Sequence, residues 1–367
     1  MKKLACVALL AAFVSGATGG AASAREGGGL SGLAIRGIDI MKWTKDTLRS
    51  QPSDETIERV VGCLATNLNV THIAVAVPLD ATMEYPRPRP GPKSAEEFTK
   101  TICDAIHRRG LGIIHRGTWL GIEGLYGHPK EVGARRRPAG TALAVLSGRD
   151  RTTWLGKTYH FILEHPGLFA DGDIWAALPE RTEGIFMDQG AFLSHSPPGI
   201  QERYARFFTD LAVVSRDAFR RIGKDVTVGH SAQNFSEVVN SWLPHWMFDA
   251  AGIVPFDHYG ITHTPEELEA DLRRAYRVHA RLPLFHQEWG DYWNARMPAG
   301  ERTRYLRAIF DVLSRLADEG IVVGFNYWGG WTGDGEGILV RTGTDEDPRF
   351  ELNDRGRVLA EYFAAGR

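Results

Sequence analysis

Ser94-Ala95-Glu96-Glu97 opens the stretch of sequence that decides the fold. Phe98, Ile102 and Ile106 follow at helical spacing, then Gly110, then the run Leu111-Gly112-Ile113-Ile114-His115. Serine with glutamate three residues later is a capping box, the apolar residues line one face of a helix, and the glycine supplies its stop. The five residues after the glycine are short and mostly apolar, as a strand buried on both faces must be. The unit returns at Thr264-Pro265-Glu266-Glu267, now with proline at the first helical position, and its helix leads to Leu284 to Glu288. Gly320 then ends the next helix just before Ile321 to Trp328.

Working outward, the same kind of β-rich run occurs at Ala34 to Ile40, Thr71 to Val77, Gly184 to Asp188, Val226 to His230 and Gly252 to Tyr259. Eight strands, each followed by a helix, predict an α/β chain folded as a (β/α)8 TIM barrel. An open doubly wound sheet would be expected to carry a glycine-rich nucleotide fingerprint after its first strand, where Arg36-Gly37-Ile38-Asp39 stands instead. The third and fourth predicted strands are separated by a long insertion that includes Trp119, Trp154 and Trp175. An insertion after a strand sits on the C-terminal face of a barrel, so these indoles either stack on sugar rings or pack the insertion onto the barrel.

Lys2 and Lys3 precede an uncharged apolar run from Leu4 to Val14 and small residues ending in Ala22-Ser23-Ala24. That pattern predicts a signal peptide over residues 1–24, a mature single-domain barrel over 25–367, and a secreted or periplasmic location. The later sequence offers no apolar run of membrane-spanning length. Composition is that of a globular protein, 43% hydrophobic and 24% charged, and 43 bases against 45 acids give no reason to expect nucleic acid as a partner. The one dense basic run, Arg135-Arg136-Arg137, is a solvated loop or a contact for a phosphate or acidic sugar. Cys63 and Cys103, on helices adjacent in the barrel order, are either a disulfide or two buried thiols.

Polar residues gather where the predicted strands end: Asp39, Asp80, His115, Asp188, His230, Asp257, His258, Glu288 and Asn326. A packed barrel interior gives no reason for charges there, whereas a site built on the C-terminal strand ends does. Glu288 closes the run Leu284-Phe285-His286-Gln287 and is followed by Trp289-Gly290, which predicts an acid at the mouth with an aromatic wall beside it. One carboxylate to attack or stabilise an anomeric carbon and a second carboxyl group to protonate the leaving oxygen are what glycoside hydrolysis requires. A carbohydrate substrate and no cofactor are therefore expected.

Phe285-His286-Gln287-Glu288-Trp289-Gly290 and Phe325-Asn326-Tyr327-Trp328-Gly329-Gly330-Trp331 resemble the seventh- and eighth-strand motifs of clan A glycoside hydrolases, particularly the cellulase-like fifth family. The resemblance implies a retaining hydrolase with Glu288 as nucleophile and Trp328 lining the sugar subsite. Arg36-Gly37 and His115 match the usual pattern loosely, and Tyr259 is implied as a hydrogen-bond partner of the nucleophile. Asp39, Gln189, His230, His258, Trp289 and Trp331 complete the expected substrate-binding set. The fourth strand departs from the pattern: Asp188-Gln189 stands where the clan has Asn-Glu, and a glutamine cannot deliver a proton. Either Asp188 has become the acid/base, or the leaving group needs none, or hydrolysis has been lost and a carbohydrate-binding barrel remains. A second alternative is a metal-dependent barrel hydrolase using His115, Asp188, His230, His258 and His286, although no HExxH and no first-strand His-x-His occurs.

Overall fold

The computed structural model describes residues 32–47, 50–77, 91–118, 154–176, 198–229, 239, 245–249, 251–259, 264–290, 297–333, 337–344 and 347–364. In chain order these residues form β1 (Ile35–Asp39), α1 (Met41–Asp46), α2 (Asp54–Leu68), β2 (His72–Val77), α3 (Ala95–His107), β3 (Gly112–Thr118), α4 (Trp154–Glu164) and β4 (Ile174–Ala176). There follow α5 (Pro198–Arg221), β5 (Thr227–Val228), β6 (Val254–Tyr259), α6 (Pro265–Val278), β7 (Leu284–Gly290), α7 (Ala299–Asp318) and β8 (Val322–Trp328). A hairpin of β9 (Leu339–Gly343) and β10 (Pro348–Leu352) and a last helix, α8 (Asp354–Ala364), complete them.

The eight strands pair in parallel in the order β5-β4-β3-β2-β1-β8-β7-β6. The two ends of that run approach each other, because Gly229, just past β5, lies against the side chain of Ile253, just before β6. One apolar cluster fills the interior, with Ala74, Ile114, Ile174, Ala176 and Phe285 from strands on both sides of β1 and Ile253 from just before β6. A larger cluster, including Ile38, Val75, Trp175, Phe256, Trp289 and Phe325, lies between strands and helices. The architecture is the expected (β/α)8 barrel.

Both predicted capping boxes form. Glu97 N donates to Ser94 Oγ at 3.1 Å and Ser94 N to Glu97 Oε2 at 2.8 Å, and the Thr264/Glu267 pair repeats this at 3.2 and 2.8 Å. Gly110 and Gly320 adopt φ of 69° and 70°, the left-handed conformation that lets a helix end and the chain turn into the next strand.

The fourth strand is a correction. The sequence pattern predicts it at Gly184 to Asp188, whereas the segment hydrogen-bonded to β3 is Ile174–Ala176, which pairs directly with β5 on its other side. Three residues give too little periodicity to be recognised without their partners. Gly184 to Gln189, with Asp80, Trp119, Arg135, Arg136, Arg137, His230 and the predicted leader, lie outside the described residues. Cys63 and Cys103 are unbonded thiols. Among the described residues, no helix is long and apolar enough to cross a membrane.

At the start of β4, Asp173 is fully buried and knits three elements together. It accepts from the backbone of Ile113 (2.8 Å) and Ala170 (2.9 Å) and pairs with His107 (3.1 Å) and His115 (3.0 Å). Burial alone would raise its pKa, but the bonds from the two histidines outweigh that and hold it well below the usual aspartate value. Since the folded-state value lies below the unfolded one, the stabilisation is complete above about pH 4 and is lost as pH falls further. Asp173→Asn is expected to cost about 3–5 kcal/mol at neutral pH. Denaturant unfolding should also show the variant losing less stability than the wild type between pH 5 and pH 2, taken as roughly the range in which a depressed carboxylate titrates.

Candidate active site

The site is built on strand alternation. On β3, Ile114 belongs to the interior cluster, so Arg116, two residues on, also points inward near the mouth, while His115 points to the helices. Arg116 is buried and its guanidinium is surrounded by carboxylates: Asp39 of β1 at 3.4 Å, Asp257 of β6 at 3.4 Å, and Glu288 of β7 in closest contact. It also donates to the main-chain oxygen of Gln287 at 3.0 Å. Asn326 of β8 donates to that same oxygen (2.8 Å) and to Asp39 Oδ2 (3.2 Å), and Asp39 Oδ1 accepts from Met41 N (2.7 Å) at the start of α1. Burial alone would lower the Arg116 pKa; Glu288, Asp257 and Asp39 more than reverse this, so the guanidinium stays charged.

Glu288 reaches this cluster because β7 is not regular. Against β8, His286 pairs with Phe325 and Trp289 with Tyr327, so Gln287 and Glu288 together oppose Asn326 alone. Against β6, Phe256 pairs with His286 but Asp257 pairs with Glu288. This is a β-bulge with Gln287 as its extra residue. In a regular strand Phe285, Gln287 and Trp289 would share one face and Glu288 would face the helices. The bulge instead turns Glu288 inward and Trp289 outward.

Of the residues expected at the site, Asp39 and Glu288 meet here, joined by Asp257 and Asn326. Trp328 is half-buried, paired in register with Asp39, and in edge contact with Trp331 at 5.0 Å between ring centroids. Lys42 Nζ lies 5.9 Å from the Trp331 ring. Other expected members are elsewhere. The His115 ring packs on Phe169 and Trp175 and bonds Asp173. Trp289 is fully buried against Phe310, Phe325 and Tyr327, so it forms no wall beside Glu288. His258 is buried beside His286, whose ring packs edge-on against Phe256 at 4.5 Å. Burial, and then the nearby His258, push the His286 pKa well down, which keeps it neutral. Arg36 binds the carbonyls of Leu33 and Asn69. Trp175 is a core residue at 0% exposure. Tyr259 ends β6, and its side chain lies outside what is described.

Three of the histidines considered as metal ligands therefore face the helices rather than the barrel mouth. Among the described residues no group of three or more His, Cys, Asp or Glu is arranged to hold a metal ion. Arg116 is the residue that sequence reasoning missed. Its signal was present: it stands two positions after Ile114 in a strand, on the face opposite His115. Three groups in this region have buried polar atoms with no hydrogen-bond partner among the described residues: Arg116 Nε, Asn326 Oδ1 and the side-chain amide of Gln287. Such atoms call for a further polar group, from ligand or solvent.

Fold and site together define a (β/α)8 barrel with a charged, aromatic-edged cluster at the C-terminal ends of its strands, the face where such barrels carry function. No family model and no curated protein matches the sequence. Solved structures do match the fold. The AHE enzyme from Alicyclobacillus herbarius superposes with a TM-score of 0.54 at 11% identity, covering 92% of this chain and 93% of its own. The family 1 β-glucosidase from Thermotoga maritima, in complex with isofagomine lactam, gives 0.53 at 11% identity over 90% and 97%. An apo β-glucosidase designated 1317 gives 0.53 at 13% identity over 89% and 94%. At these identities the likeness is one of fold.

Trp289→Ala is expected to behave as a core truncation and to cost about 3–5 kcal/mol of folding stability. Trp328→Ala, at a half-buried position, should cost far less. Chemical denaturation of the two variants side by side checks the assignment of faces.

Proposed function

We propose that this chain is a retaining glycoside hydrolase acting on an oligo- or polysaccharide, with Glu288 as its nucleophile. The observation that carries the reading is the Glu288 carboxylate, turned by a bulge into the C-terminal mouth of the barrel and held there by the buried Arg116. A charged guanidinium in contact favours the ionised carboxylate that nucleophilic attack needs and fixes its direction. Trp328, half-buried beside Asp39 and Asn326, offers an apolar ring face of the kind that packs on a pyranose. The fold-level likeness to β-glucosidases supports the same reaction class, as analogy. Family 1 β-glucosidases belong to clan A, the clan whose strand-end motifs those of β7 and β8 resemble.

In this mechanism Glu288 attacks the anomeric carbon as the leaving oxygen departs, and water later displaces it from the glycosyl-enzyme. Asn326 and Asp39 hold the mouth in shape around it. Asp188, expected as the possible acid/base, lies outside the described residues. If the leader in residues 1–24 acts as read, the substrate is met outside the cytoplasm.

A panel of 2,4-dinitrophenyl 2-deoxy-2-fluoroglycosides, beginning with the β-glucoside, should inactivate the wild type by forming a stable adduct. Peptide mass spectrometry should find the label on Glu288. Glu288→Gln should fold normally and lose at least about a thousandfold in turnover on the matching substrate. Wild-type turnover that survives Glu288→Gln would exclude the assignment, and failure to hydrolyse any glycoside would leave a carbohydrate-binding barrel.

A further inference from the structure

We propose that Asn326, on β8, is the positioning residue that aims the Glu288 carboxylate, and that position 37, its register partner on β1, is glycine so that the Asn326 side chain can lie there. The inference rests on the reading of Glu288 as nucleophile and adds to it the residues that set its direction.

Gln287, the extra residue of the β7 bulge, has no register partner in β6 or β8. A bulged residue stands outside the ladder, yet its buried carbonyl still requires donors. Side chains supply them. The Gln287 main-chain oxygen accepts from Asn326 Nδ2 at 2.8 Å and from Arg116 Nη1 at 3.0 Å. The same two nitrogens also reach Asp39 Oδ2, at 3.2 and 3.4 Å. Two donors and two acceptors thus close a ring across β1, β3, β7 and β8. The Asp39 corner is fixed in turn, because its other oxygen accepts from Met41 N at 2.7 Å. The Gln287 carbonyl belongs to the planar peptide unit that leads into Glu288, so holding that oxygen fixes the plane from which the Glu288 side chain projects. Asn326 therefore acts on Glu288 through the backbone, whereas Arg116 also touches the carboxylate directly.

The two acceptors also decide which way the Asn326 amide is turned, since the opposite orientation would set Oδ1 against two oxygens. That leaves Oδ1 buried without a hydrogen-bond partner and directed at Gly37. A Cβ at position 37 would stand 2.5 Å from Oδ1 and 3.0 Å from Cβ and Cγ of Asn326, so any side chain there would displace the amide. Gly37 is not among the glycines with positive φ, and its backbone conformation therefore does not ask for glycine; the room taken by Asn326 does. An apolar residue at position 326 would spare the barrel a buried, unpartnered oxygen. A polar group kept in spite of that cost is explained by what its other end holds.

The test follows inactivation by the 2,4-dinitrophenyl 2-deoxy-2-fluoroglycoside that labels Glu288, in the full chain and in Asn326→Ala, Gly37→Ala and the double variant. In that reaction a Glu288 oxygen bonds to the anomeric carbon as dinitrophenolate departs. The first-order rate constant at saturating reagent reads this attack and does not depend on how much of the sample is folded; the half-saturating concentration reads binding. For each single variant the rate constant should fall about 10- to 100-fold while the half-saturating concentration changes by less than about threefold, because a misaimed nucleophile slows the chemical step. In the Asn326→Ala background, Gly37→Ala should slow attack by less than about threefold more, since no amide remains to be displaced. A merely structural contact would lower the yield of folded protein and leave the rate constant of the folded fraction within about threefold of the wild type. That result for Asn326→Ala overturns the proposal and leaves Glu288 in place, as does a Gly37→Ala effect that persists in full in the double variant. Should Gly37→Ala not fold, Asn326→Ser, which removes the amide and adds no volume, takes its place and is expected to show the same loss. Absence of any label on Glu288 overturns the nucleophile and this inference together.

Discussion

The mouth of this barrel depends on one buried guanidinium. Arg116 rises from β3 and meets carboxylates of β1, β6 and β7, none of which is a neighbour of β3 in the sheet. Removing several ions from water costs several kcal/mol for each, which attraction repays only where opposite charges meet with good geometry. Three acids without the arginine would repel one another, and the arginine without the acids would be an uncompensated buried charge. Each therefore requires the other, and the direction of the Glu288 carboxylate is set by this requirement.

The second constraint is the bulge in β7. Below it the barrel interior is apolar, with Phe285 packed among Ala74, Ile114, Ile174 and Ile253. Above it the interior is charged. One extra residue lets the strand present Phe285 and Glu288 to the same interior although an odd number of positions separates them. The same residue sends Trp289 into the layer under α7, where Phe310 and Phe325 receive it. At the other end of the strands, Asp173 ties β3, α3 and β4 together through His107, His115 and two backbone amides. The carboxylates of the mouth thus stand on the face where barrels carry chemistry, and this one on the face where they carry stability.

A likeness of fold at 11–13% identity, with no family model matching, is what a scaffold held by burial rather than by particular residues allows. The interior needs small and branched apolar side chains in layers, which many sequences satisfy. The charged ring permits less variation: replacing Arg116 by lysine would keep the charge but lose the planar fork that reaches several carboxylates at once.

Much of the fold was legible in the sequence because its signals are local. The capping boxes at Ser94 and Thr264, the glycine stops at Gly110 and Gly320, and seven of the eight strands depend on residues a few positions apart. Glu288 was legible as well, since it ends a strand-like run beside an aromatic residue. The fourth strand was not, because Ile174–Ala176 is a strand only through its bonds to β3 and β5. Nor could the sequence say which side each residue faces near the mouth. Facing follows from alternation and a single bulge reverses it, so Arg116 rather than its neighbour His115 enters the mouth and Trp289 turns away from it. Sequence by itself determined the alternating pattern that builds a barrel and the acid at the end of β7. The tertiary structure alone decided which charges share that acid's surroundings, since strand pairing, and not spacing along the chain, brings Arg116, Asp39, Asp257 and Glu288 together.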